Sequence, residues 1–142
     1  MTHKAILIDP YDQKVTLIDQ EPGLPSLYSV LTHAKKKVDC IDAIYPAPEH
    51  AMYVDDEGML FPGVPTFSFL GSPGAVFAGK ALIVGTFEHD DADVKLNVDD
   101  VRQRVVFLEL QSTGEFAPAM PTEETPDGWA IIRTGAPILK EG

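Results

Sequence analysis

Ala75-Val-Phe-Ala-Gly-Lys-Ala-Leu-Ile-Val-Gly-Thr-Phe87 is the stretch on which the fold turns. Its second half, from Ala81 onward, is apolar without alternation. A strand with one wet face alternates apolar and polar residues, so an unbroken aliphatic run reads as a strand buried on both faces. Residues 75–87 are therefore expected to form the buried central strand of an α+β domain. Gly79 and Gly85 then permit a bulge or close packing rather than cradling a phosphate.

Working back from this strand, Lys-Ala-Ile-Leu-Ile-Asp at residues 4–9 and Lys-Val-Thr-Leu-Ile-Asp at 14–19 flank Pro10-Tyr-Asp-Gln13, which predicts an N-terminal β-hairpin. Leu24, Leu27, Tyr28, Leu31 and Ala34 recur at helical spacing behind Pro25, so a helix is expected over residues 25–36. Lys35, Lys36 and Lys37 would then sit at its negative C-terminal end. Residues 39–45 read as a strand closed by Pro46. His50 to Val54 and Met59 to Phe61 read as a hairpin about Asp55-Asp-Glu-Gly58, with Gly58 left-handed. Residues 61–74 carry three prolines and three glycines among Phe61, Val64, Phe67, Phe69 and Leu70, which predicts a loop packed on its own side chains.

Beyond the central strand, residues 88–93 form an acidic break. Asn97 has the form of a helix cap, and Val98, Val101, Val105 and Leu108 predict a helix over 98–108. Val105-Val-Phe-Leu108 is β-branched enough to be a strand instead. The expected architecture is a mixed, mainly antiparallel sheet of hairpins with two helices. Residues 1–110 make one domain and 111–142 an irregular Pro/Thr/Glu-rich tail, docked through 129–132, where the sole tryptophan lies.

The 142 residues suit one core. No apolar run reaches membrane-spanning length and no signal peptide opens the chain, so a cytoplasmic location is expected. Cys40 cannot form an internal disulfide and reads as a small buried hydrophobe. The 22 acidic against 11 basic residues give a net charge of −11, which disfavours direct contact with nucleic acid. Acidity of this size suits solubility, attraction to a basic protein, or imitation of a phosphate backbone.

No catalytic pattern stands out. Glu88, His89, Asp90, Asp91 and Asp93 offer metal-ligand types, yet an EF-hand counted from Asp91 meets Leu96 and Arg102 where glycine and glutamate are required. Zinc would want more His or Cys nearby. Gly71-Ser-Pro-Gly74 and Ala78-Gly-Lys80 match no phosphate-binding motif, and His3, His33, His50 and His89 have no motif partner. Neither a metal nor a cofactor is expected. The candidate partner-binding residues are Asp55, Asp56, Glu57, Phe67, Phe69, Glu88, His89, Asp90, Asp91 and Asp93.

Several segments together resemble a family of small proteins of unknown function found largely in bacteriophages and mobile elements. They are the Ala5-Ile-Leu-Ile-Asp-Pro10 hairpin, the short helix, Met52-Tyr-Val-Asp-Asp-Glu-Gly-Met-Leu60, and Ala78-Gly-Lys-Ala-Leu-Ile-Val-Gly-Thr86 with its acidic break. The resemblance covers about residues 4–110. It implies an accessory gene product in the cytoplasm of a bacterial host and brings no catalytic residues. The expected function is non-catalytic: an acidic surface binds a host or defence protein, DNA mimicry being one version, and a dimer is compatible with it. The alternative is a small-molecule or nucleotide-binding protein using residues 61–74.

Overall fold

The structure is a computed structural model that describes residues 2–58, 63–69, 76–88, 90–110, 115–118 and 132–133. The fold is α+β. In chain order the elements are β1 (His3–Asp9), β2 (Lys14–Gln20), α1 (Leu24–Leu31), β3 (Ile41–Ile44), β4 (His50–Asp55), β5 (Thr66–Phe69), β6 (Val76–Ala78), β7 (Ala81–Phe87), β8 (Asp90–Ala92), α2 (Val98–Arg104), β9 (Val105–Leu110), β10 (Glu115–Pro118) and β11 (Ile132–Arg133). They build two sheets. The first runs β2-β1-β7-β4-β3 with β8 beside β7, and the second runs β11-β10-β9-β5-β6. Every ladder among the described residues is antiparallel.

The first sheet is the middle layer, which explains the unbroken apolar run. Ala81 and Ile83 of β7 join Ile6, Ile8, Met52 and Val54 in a core shared with Phe67, Phe69 and Phe77 of the second sheet and Val101 of α2. Leu82 and Val84 point the other way, into a core with Ala5, Ala51 and Leu27 and Leu31 of α1. Successive β side chains leave opposite faces, so both faces of β7 are dry.

Residues 75–87 are nonetheless not one strand. Val76–Ala78 belongs to the second sheet and Ala81–Phe87 to the first, and the chain changes sheet at Gly79. Gly79 holds φ 86, a left-handed value that a β-carbon disfavours by roughly 1–2 kcal/mol.

The expected loop over 61–74 contains strand β5, buried along its whole length. Phe67 and Phe69 are fully buried in the shared core and cannot meet a partner. The helix over 25–36 stops at Leu31, where Thr32 turns extended and its Oγ1 accepts the Val38 N–H at 3.1 Å. The three lysines therefore follow the helix in a turn instead of ending it. The helix over 98–108 is α2 only to Arg104, and from Val105 the β-branched run is β9, paired with β5.

The N-terminal hairpin forms as read, and Asn97 caps α2 by accepting from the N–H groups of Asp99 and Asp100. Cys40 is exposed rather than buried, because the chain enters β3 along an outer edge. Gly58 is not left-handed; a β-carbon there would lie 2.5 Å from the Ala78 carbonyl oxygen, so close approach is what requires glycine. The ladder partners of β4 are β3 and β7, and the expected hairpin partner at 59–61 lies outside the described residues, as do Trp129 and Ile131. Beyond Leu110, β10 and β11 extend the second sheet. Among the described residues no helix is long and apolar enough to cross a membrane.

Candidate protein-binding face

The acidic residues following β7 form a strand. Glu88, at φ 49, begins the turn, and β8 folds back with Asp90 opposite Phe87 and Asp91 opposite Thr86. His89 lies outside the described residues. Asp90 and Glu88 are exposed, and Phe87 is 65% exposed beside them. An apolar ring therefore stands in water next to two carboxylates at the end of the strand.

The backbone of this edge is firmly held. Asp93 Oδ1 accepts the Lys4 N–H at 2.7 Å, and the Val94 N–H is donated to the Lys4 carbonyl at 2.8 Å. The segment runs so close over Gly85 that an added β-carbon would collide with the Asp93 carbonyl. His50, buried opposite Gly85, anchors the chain just beyond it. Its Nδ1 lies 2.8 Å from the Pro48 carbonyl and its Nε2 accepts the Lys95 N–H at 3.0 Å, which places the proton on Nδ1. Lys95 Nζ then bonds Glu49 at 2.7 Å and holds that carboxyl below its usual range.

Asp91 is tied from the sheet side, its Oδ1 accepting from the Tyr53 hydroxyl at 2.7 Å. Burial, and then this bond, raise the Tyr53 phenol well above its ordinary range. Asp91 and Asp93 are thus oriented acids, whereas Asp90 presents a carboxylate with no side-chain partner among the described residues.

Asp55, Asp56 and Glu57 lie elsewhere. Val54 pairs with Ala81 and Phe87 with Asp90, so the two acidic groups occupy opposite ends of β7, about 20 Å apart at the strand rise of some 3.3 Å per residue. They do not converge. Asp55 is not a surface acid either. Its side chain is 1% exposed and its Oδ2 lies 3.2 Å from Lys36 Nζ, itself 9% exposed, while Oδ1 accepts the Glu57 N–H at 2.9 Å. Tyr11 and His33 stack at 3.6 Å nearby. Burial, followed by the charges of Asp55 and Asp9, raises the Tyr11 phenol. Asp56 is exposed, and Glu57 keeps the Cys40 thiol raised, first through a hydrogen bond and then through its charge. A protonated thiol is a poor nucleophile.

Sequence reasoning missed Tyr53, Phe87, Lys36 and His50. Phe87 carried a signal, being an aromatic at a strand end beside an acid, and Tyr53 a weaker one, an aromatic two residues before the first acid of the turn. Lys36 and His50 carried none, since nothing local ties either to its distant partner.

Against known proteins, one family model, described as a domain of unknown function (DUF3846), matches residues 1–107. No curated protein and no solved structure matches the chain.

Proposed function

We propose that this chain, which belongs to the DUF3846 family, is a non-catalytic accessory protein of a phage or mobile element that binds a basic host or defence protein through the β8 edge. One observation carries the reading: Asp90 and Asp91 stand with the exposed ring of Phe87 on a rigidly anchored edge of the central sheet, in a chain of net charge −11. Fixed carboxylates steer and select a positive surface, and an aromatic ring supplies the desolvated contact that holds it. The acids also keep the edge from pairing with other strands indiscriminately. Asp56 and Glu57, at the far end of β7, are left out of this face.

The test uses the immobilised full chain. The partner captured from a host lysate is identified, purified and titrated against wild type, Asp90→Asn/Asp91→Asn and Phe87→Ala. Both variants are expected to weaken binding by about tenfold or more, and added salt to weaken the wild type steeply. Equal affinity for all three proteins would sink the reading. Competition by duplex DNA would support the DNA-mimic version, and indifference to both DNA and salt would remove it.

A further inference from the structure

His3 and Gln20 face one another across the β1–β2 ladder, so their side chains leave one face of the sheet with Cβ atoms about 4.5–5.5 Å apart. Gln20 is 6% exposed, and its amide has no hydrogen-bond partner among the described residues. His3 Nε2 is buried and equally unpartnered. A buried polar group left unsatisfied costs about 1–3 kcal/mol, so His3 calls for an explanation, while the unpartnered Gln20 amide beside it is free to take a ligand. Gln20 opens onto a groove of about 490 Å³ between the end of β2 and α1, lined also by Asp19, Glu21, Pro25, Ser26 and Ser29.

The lining defines the ligand chemistry. Glu21, the Gln20 amide oxygen and two serine hydroxyls are acceptors, and Pro25 offers a flat apolar wall. The start of α1 contributes about half a positive charge at most, which Glu21 alone outweighs, so the groove favours a cation. Ammonium is a compact, strongly hydrated point charge, whereas guanidinium is planar, weakly hydrated and carries five donors in one plane. Guanidinium can lie on the proline while donating to a carboxylate and an amide together, which an ammonium cannot.

Lys4, next in β1, has its N–H held by Asp93 and its ammonium 2.6 Å from Asp19, a pair that leaves the opposite face of the sheet. The geometry points to the groove as the site that takes an arginine side chain of the basic partner, an inference that rests on the function proposed above.

Isotope-labelled full chain is titrated with argininamide and with citrullinamide, its uncharged isostere, while the Gln20 side-chain amide and the backbone amides of residues 19–30 are followed by NMR. Argininamide is expected to give saturable shifts there, with citrullinamide about tenfold weaker. Gln20→Met, which keeps the volume, and the exposed Glu21→Gln should each weaken argininamide by about tenfold, while Asp56→Asn at the far end of β7 leaves it unchanged. Shifts that do not saturate, that spread evenly over all carboxylates, or that ignore both groove variants would overturn the inference. If argininamide binds as expected but the β8 variants keep the partner, the wider reading fails alone. If the β8 variants lose the partner while argininamide never binds, only the groove fails.

Discussion

Lys36 and Asp55 place opposite charges where water barely reaches. Asp55→Ala removes this pair and the acceptor of the Glu57 N–H, and is expected to destabilise the fold by about 1–3 kcal/mol. Asp56→Ala, one residue on and exposed, should stay within about 0.5 kcal/mol; urea unfolding of the two variants measures the contrast. Tyr53 gives a prediction in pH. Its phenol is raised in the folded chain, by burial and then by Asp91, so its contribution to stability is fully present below the ordinary tyrosine value of about 10 and is lost as pH rises above it. Asp91→Asn should bring the last tyrosinate absorbance step to lower pH and flatten the alkaline loss of stability. None of these roles was legible in the sequence. Asp55 reads as one of three consecutive surface acids, and only the register that turns it inward toward a lysine 19 positions earlier separates it from Asp56.

At the scale of elements, local chemistry was legible wherever it was self-contained. Asn97 illustrates this: its side chain accepts from two N–H groups of the α2 first turn at 2.8 and 3.4 Å, a bond set determined by neighbours alone. Asn97→Ala is expected to cost about 1 kcal/mol, read as a lower urea midpoint at unchanged slope. The same helix is tied to the outer strand β2 by Arg102, whose Nε–H is donated to the Val15 carbonyl at 2.9 Å. Helix ends were less legible because tertiary pairing decides them. Val105 leaves α2 to pair with Phe69, and Thr32 ends α1 by accepting from Val38. Strand β5 was the least legible, since its flanking prolines and glycines describe a loop while its pairing with β6 and β9 makes it core.

For the molecule as a whole, the central placing of β7 followed from its apolar run, and the α+β class from the mixture of periods. The second sheet did not, because burial on both faces looks alike whether a helix or another sheet does the covering. Amide exchange should therefore be slowest at Ala81, Leu82 and Ile83, which pair with both β1 and β4 and lie under both cores, and markedly faster in β8. Equal protection along residues 81–92 would contradict the layering. The interleaving of the sheets also bears on the order of synthesis. β1 and β4 each need β7 as their inner neighbour, yet 32 residues separate the end of β4 at Asp55 from the end of β7 at Phe87. At about 5–20 residues per second that leaves some 2–6 s in which two finished hairpins, β1–β2 and β3–β4, wait on the ribosome with their inner edges open. A chaperone that shields strand edges would have its moment there, before the seventh strand arrives to close the sheet.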